Sequence, residues 1–323
     1  MMIYQCNLRS ISVSSVVKRY QKFIADYRGK VYLNQSLARY CTFKVGGPAG
    51  LLIKAKTVLE LIAALKLAQV LKIPYFILAV GSNVFFDDRG FRGLIINYLA
   101  DAVAVSQNKK LVQVEVGCKL SELVRTLAKK NLGGMDFLAN IPGSVGGAIV
   151  GNAGCYGKSI SEIVTNVTVF DVKTQKIKIL SAKNGGFKYR DSMFKSSPHL
   201  IILSAKLKLV KDNGKQILAR IAKEKALRWA KHPHQPSAGS FFKNPPNESA
   251  WKLIELAGMK GAAIGGAKVS NKHANHIVNY HLATAGDILR LANLVRKTVR
   301  QKTGIQLEWE VKFVRSNGVI VAC

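Results

Sequence analysis

A chain of 323 residues with 48% hydrophobic content has material for two or three domains, and 27 glycines against 8 prolines argue against a disordered linker. Its 49 lysines and arginines against 18 acidic residues give a net charge of +31. That excess attracts polyanions, but the basic residues are spread along the chain, with no arginine-rich arm, zinc spacing or aromatic-basic signature. A solvated surface that gathers anionic substrates is therefore expected, with nucleic-acid binding a minor alternative.

The predicted elements run as follows. Residues 11–28 read as an amphipathic helix; the apolar stretch Ile11–Val17 is too short and serine-broken for a signal peptide. No uncharged apolar run approaches membrane-spanning length, so a cytoplasmic protein without membrane insertion is expected. Cys6, Cys41, Cys118, Cys155 and Cys323 contain no C-x-x-C pair, which argues against a disulfide framework or a zinc ribbon. From Leu51 strand and helix alternate: a strand at 51–55, a helix begun by Thr57 with Leu59, Ile62, Leu65 and Ala68 on its apolar stripe, and strands at 76–80, 94–97 and 111–116. A helix around 120–130 follows, in α/β order. The glycine-rich stretch 133–157 separates this unit from a more β-rich one. There, strands are expected at 164–170, 177–180 and 200–209, the last alternating apolar and polar as a half-buried antiparallel strand does. After a turn at 212–214 come a basic helix to about Lys231, a helix at 250–257 and a long helix from Thr284, whose spacing to Asp287 is that of a capping box. A final strand, 307–313, points Leu307, Trp309, Val311 and Phe313 to one face and Glu308, Glu310 and Lys312 to the other.

Two loops have the makings of phosphate sites. Val80-Gly81-Ser82-Asn83 leaves a buried strand directly, and residues 140–148 (NIPGSVGGA) continue through 152–157 (NAGCYG). Small residues there allow close backbone approach by an anion, although tight turns alone are the competing explanation. No G-x-G-x-x-G follows a first strand, so a Rossmann domain is not expected. Residues 157–159 (GKS) end like a P-loop, but Asn152 stands at its opening position and no strand precedes it, which argues against ATPase or GTPase activity. Arg190 could orient a carboxylate or serve a surface salt bridge. Residues 239–245 (GSFFKNP) set Ser240, Lys243 and Asn244 in one short turn. His232 and His234 have H-x-H spacing, but Pro233 between them and the lack of a nearby Cys or acid favour no metal site.

In order along the chain, the blocks 42–49 (TFKVGGPA), 81–83 (GSN) with Asp88 and Gly90, 141–148 (IPGSVGGA), 152–154 (NAG), 189–192 (YRDS), Gln235-Pro236, 239–245 (GSFFKNP), 272–275 (KHAN) and Glu310-Val311 resemble the UDP-N-acetylenolpyruvoylglucosamine reductase family. That resemblance implies an α+β protein: an FAD-binding fold of two α/β subdomains, similar to vanillyl-alcohol oxidase, plus a C-terminal α+β substrate domain. The expected division is an N-terminal helical extension (1–35), FAD-binding subdomains (36–104 and 105–212) and a substrate domain (213–323). It implies tightly bound FAD, NADPH as reductant, and conversion of UDP-N-acetylglucosamine enolpyruvate to UDP-N-acetylmuramate for peptidoglycan. Arg190 then binds the enolpyruvyl carboxylate, Ser240 donates the proton, and Glu310 assists. Lys243 and Asn244 contact substrate. Val80, Gly81, Ser82, Asn83, Pro142, Gly143, Ser144, Gly146, Gly147, Asn152 and Gly154 would hold the cofactor. No nucleic-acid partner is expected. The 50-residue interval from Arg190 to Ser240 resembles the shorter branch of the family, without an inserted substrate loop. Ala79, Asn140 and Cys41 depart from the family pattern near the flavin loops. Another FAD oxidoreductase of the same fold with a different acceptor is the alternative reading.

Overall fold

The computed structural model describes residues 13–106 and 110–321. Cys6 and Cys323 lie outside them, as does the start of the predicted first helix, whose described part is Val13–Asp26. The chain forms two compact units. Of the described residues, the first holds those up to Tyr32, those of Leu52–Val80 and those of Leu94–Ala226; the second holds Leu33–Leu51, Gly81–Gly93 and those from Leu227 onward. Among the described residues no helix is long and apolar enough to cross a membrane.

In the first unit, Thr57 caps the helix Val58–Val70 as expected: its side chain accepts from the Glu60 N–H while Glu60 reaches back to the Thr57 N–H. The buried stripe differs from the predicted one. Leu61, Ala64, Leu65 and Ala68 are buried, whereas Leu59 is 79% exposed. This helix is apolar almost all round, so its periodicity selects no face and tertiary packing decides. The strand Tyr75–Leu78, buried at every position, pairs in parallel with Phe91–Tyr98, Tyr75 lying opposite Leu94. They belong to a sheet of order Val31–Ser36, Pro48–Ala55, Phe91–Tyr98, Tyr75–Leu78.

A second sheet of this unit runs Lys176–Ser181, Val164–Asp171, Leu200–Lys208, Leu111–Glu115, Val103–Val105. All its pairings are antiparallel, and Leu200–Lys208 is central. Along that strand Ile201, Leu203, Ala205 and Leu207 are buried while Lys206 and Lys208 are exposed, as the alternation predicts. Within the glycine-rich stretch, read from sequence as a phosphate-holding loop, lies the helix Val145–Gly151. Ser144 starts it by accepting from the Gly147 N–H, Val145, Ala148 and Ile149 supply a buried i, i+3, i+4 face, and Asn152 ends it at φ +43°.

In the second unit, Thr284 and Asp287 form the predicted capping box on the helix Ala285–Thr303, which Gly304 closes at φ +72°. Its stripe of Ile288, Leu291, Ala292, Val295 and Val299 packs into a core containing Phe85, Phe241, Phe242, Trp309 and Phe313. The predicted strand 307–313 is shorter than expected. Leu307, Trp309, Val311 and Phe313 are buried, so the alternation holds, but only Lys312–Val314 forms a ladder, parallel to Val84–Phe86. The preceding residues instead bond to the loop 241–243, with an isolated bridge between Trp309 and Phe242.

Candidate active site

Ser240 follows Gly239, which sits at φ +78°, and precedes two phenylalanines that anchor the loop in the core. The Phe241 N–H donates to the Asn275 carbonyl (2.8 Å). Phe242 and the Asn275 carboxamide bond reciprocally: the Phe242 N–H donates to Oδ1 (2.9 Å) and Nδ2 donates to the Phe242 carbonyl (2.8 Å). From the other side, the Glu310 N–H donates to the Phe241 carbonyl (2.9 Å). Asn83 Nδ2 in turn donates to the Glu310 carbonyl (3.1 Å), and the Lys312 N–H donates to the Asn83 carbonyl (3.1 Å). Ser240, Glu310 and Asn83, far apart in sequence, thus stand on three segments stitched together by backbone and carboxamide bonds.

The neighbouring glutamate takes another part. Glu308 pairs with Lys243 Nζ at 2.9 Å and accepts its N–H through the backbone, so Lys243 is tied to a largely exposed carboxylate. Asn244 Oδ1 accepts from the Ala250 N–H at the start of the helix Ala250–Leu256. Gly81 lies at φ +67°, and a Cβ there would sit 2.1 Å from the Tyr40 carbonyl oxygen, so no larger residue fits. The Gly81 carbonyl accepts from the Thr42 N–H, and the Thr42 hydroxyl donates to Ser237, which fixes 42–43 and the 81–83 loop to the segment that leads to Ser240.

In the first unit, the first turn of Val145–Gly151 is engaged by the protein. Val145 and Gly146 donate to the carbonyls of Cys118 and Val116, and Gly147 donates to Ser144 Oγ. Those three donors therefore form no open anion nest. The Gly143 carbonyl accepts from Leu120, and Pro142 is exposed. Arg190 sits at φ +54°, uncommon for a residue with a side chain, in the tight turn Lys188–Asp191. Its Nη1 donates to the Gly154 carbonyl (3.1 Å), and its guanidinium lies over the Tyr189 ring at 5.6 Å. Asn152 Nδ2 donates to the Lys188 carbonyl (2.9 Å) and Ser192 Oγ to the Val150 carbonyl (2.8 Å). Arg190 and the Asn152–Gly154 segment are thereby brought together.

Residues 49–180 match the family model "FAD binding domain", and residues 231–314 match "UDP-N-acetylenolpyruvoylglucosamine reductase, C-terminal domain". The chain is 39% identical over 287 residues to a UDP-N-acetylenolpyruvoylglucosamine reductase of Caldanaerobacter subterraneus subsp. tengcongensis, covering 88% of this chain and 94% of the relative. It belongs to the UDP-N-acetylenolpyruvoylglucosamine reductase family. A second relative of that name, from Trichlorobacter lovleyi, is 37% identical over 90% of this chain and 95% of its own length. The crystal structure of the reductase from Thermus caldophilus superposes with a TM-score of 0.74 at 32% identity, covering 88% of this chain and 98% of that one. These agree with an α+β, FAD-binding fold.

The glycines test whether this reductase-family chain suits FAD. Glycine costs about 1 kcal/mol relative to alanine inside a helix, yet Gly146, Gly147 and Gly151 share a helix of seven residues. Packing accounts for the first, since a Cβ on Gly146 would meet Val116 Cγ2 at 3.0 Å. At Gly147 a Cβ would meet only Ser144 Oγ, at 3.6 Å, and at Gly151 nothing within 4 Å. No packing contact among the described residues requires glycine at those two positions, and a bare backbone of this kind suits a flavin dinucleotide running close to it. The residues fit the cofactor. Two residues outside the sequence-derived set also matter: Asn275, which clamps the Ser240 loop, and Asp88, whose carboxylate accepts from the Ala285 and Gly286 N–H groups at the start of the long helix. Both lie in recognisable blocks, but only the fold reveals what they hold.

Proposed function

We propose that this chain reduces UDP-N-acetylglucosamine enolpyruvate to UDP-N-acetylmuramate with electrons from NADPH, in the cytoplasmic stage of peptidoglycan precursor synthesis. The observation that carries the reading is family membership across nearly the whole chain, including both matched domains. The residues of 36–212 hold FAD, with Val80, Gly81, Ser82, Asn83, Pro142, Gly143, Ser144, Gly146, Gly147, Asn152 and Gly154 at its contacts, and residues 213–323 hold the substrate. Bound there, FAD would supply two-electron redox chemistry between NADPH and the vinyl group of the substrate.

The chain's own residues do the rest. Arg190 binds the enolpyruvyl carboxylate and stabilises the negative charge that hydride addition builds beside it, a task for a fixed cation. The Ser240 hydroxyl gives its proton to the carbon next to the carboxylate; a weak acid suffices because that carbon is strongly basic once hydride has arrived. Glu310, on the segment bonded to the Ser240 loop, assists the transfer. Lys243 and Asn244 contact the sugar nucleotide.

The test is anaerobic. Purified protein should be yellow, bleach with NADPH, and regain colour on addition of UDP-N-acetylglucosamine enolpyruvate, with a product two mass units heavier than that substrate. Reoxidation by other acceptors but not by this one would point to a different flavin oxidoreductase, and colourless protein that binds DNA would abandon the reading.

A further inference from the structure

The three imidazoles of His232, His273 and His276 converge in the second unit, outside the residues given roles above. Each offers one nitrogen, and these nitrogens all lie within 4.8 Å of one another. Ring centroids are 4.9, 5.1 and 4.8 Å apart, a nearly equilateral arrangement. His234, at H-x-H spacing from His232, turns away from the cluster: it stacks on Trp229 at 3.6 Å and bonds to the Trp229 carbonyl. His232 instead stands at the end of the helix Gly214–Lys231, with its N–H on the Arg228 carbonyl. His273 and His276 come from a closed turn in which Ser270 donates to the His276 carbonyl, His276 donates to the His273 carbonyl, and His273 donates to Ser270 Oγ.

We propose that His232, His273 and His276 bind one divalent transition-metal ion of the zinc type through three imidazole nitrogens. His232 Nδ1 and His276 Nε2 are 3.1 Å apart. Two ligands at about 2.1 Å in a tetrahedral zinc site are separated by roughly 3.4 Å, so this edge needs only slight widening, while the edges to His273, within 4.8 Å, close as the ion binds. The buried Nδ1 atom of His273 has no hydrogen-bond partner among the described residues, and a bound ion would supply one.

The surroundings decide which metal. Arg228 and Lys231 bear on the cluster and oppose a cation, while Glu255, itself paired with Lys260, is the acid acting on His273. Magnesium and calcium need several oxygen ligands and would not hold there; imidazole suits zinc, cobalt, nickel and copper. Three protein ligands leave the fourth position to water or an anion, which the neighbouring cations favour.

The test uses tag-free flavin-loaded protein, stripped with chelator and titrated with Co²⁺. A tetrahedral cobalt band to the red of the flavin absorption should grow to one equivalent per chain. Calorimetry should show Zn²⁺ displacing Co²⁺. His232→Gln should weaken Zn²⁺ binding by more than the roughly 10- to 100-fold that loss of an outer-sphere partner costs, and His234→Gln should leave it unchanged. His276→Gln should abolish the band; if that variant does not fold, the partly exposed His232 and His273 variants decide. Absence of the band, its survival in His232→Gln, or equal loss in His234→Gln would overturn the assignment.

Discussion

Asn275 and Phe242 hold each other by two reciprocal hydrogen bonds, both buried, two residues downstream of Ser240. The same asparagine also accepts from Phe241 through its backbone. A side chain that satisfies one N–H and one C=O of a neighbouring loop acts as a strand pairing would, and it fixes the backbone that follows Ser240.

Replacing Asn275 with Ala strands both polar groups of Phe242 in the core. Each unpaired buried group costs about 1–3 kcal/mol, so a loss of about 3 kcal/mol is expected in urea unfolding. The enolpyruvyl half-reaction should slow while NADPH reduction of the flavin persists, because the Ser240 loop loses its register. Asn275→Asp keeps the acceptor for the Phe242 N–H but sets a carboxylate against the Phe242 carbonyl, and should recover part of neither property. Stability unchanged to within about 0.5 kcal/mol, the range of neutral surface changes, would show that the clamp is dispensable.

On the proposed mechanism, Ser240→Ala removes the proton donor alone. Stopped-flow mixing with NADPH should give flavin reduction at the wild-type rate. Reoxidation by the enolpyruvyl substrate should slow by about 10²- to 10⁴-fold, the range for a positioned general acid. An equal slowing of both half-reactions would assign Ser240 to flavin binding instead.

The two kinds of glycine should respond oppositely to an added methyl. Gly147→Ala meets only Ser144 Oγ and sits in a helix, so the apoprotein should gain up to about 1 kcal/mol while FAD is held less tightly. Gly81→Ala drives a Cβ onto the Tyr40 carbonyl at positive φ, so the apoprotein itself should melt lower, by more than the roughly 1–2 kcal/mol of the left-handed backbone alone. Calorimetry of the apoproteins and the flavin-to-protein absorbance ratio separate the two outcomes. A Gly147→Ala protein that keeps its flavin fully would remove that glycine from the cofactor contacts.

Much of the fold was legible because its signals are local. The capping boxes at Thr57 and Thr284 and the stripe from Ile288 to Val299 need only neighbours three and four residues away. The helix Val145–Gly151 was not legible, since three glycines mask its short apolar face and its start depends on bonds to Cys118 and Val116. The strand 307–313 was half legible: burial alternates, but pairing is set by the loop 241–243, about seventy residues earlier. Arg190, Ser240 and Glu310 came from motif resemblance, and the choice between Glu310 and Glu308 had no basis in alternation. The Glu308 carboxylate pairs with the Lys243 ammonium, whereas it is the backbone N–H of Glu310 that donates to the Phe241 carbonyl. The histidine cluster was hidden because His232 lies more than forty residues before His273 and His276, and only the packing of the helix end at His232 against the 270–276 turn joins them.

Asp171 makes one part of the acid stability specific. Its carboxylate is buried at the end of the strand Val164–Asp171, where Oδ1 accepts from the Lys173 and Thr174 N–H groups of the hairpin turn and Oδ2 accepts from Lys178 Nζ at 2.6 Å. The Lys178 bond, with the turn N–H groups behind it, holds this carboxyl far below the usual carboxylate range. A folded pKa below the unfolded value of about 3.9 means that the unfolded chain takes up the proton first. The stabilisation is therefore complete above about pH 5 and is lost as pH falls through the unfolded value towards the folded one. Asp171→Asn should be less stable than wild type at neutral pH. That deficit should shrink steadily below about pH 4, as the wild-type chain loses the same contribution. Urea unfolding of both proteins at neutral and acid pH and constant ionic strength measures the difference. A deficit that stays constant across the series would mean that Asp171 acts through turn geometry alone, with no contribution from its charge.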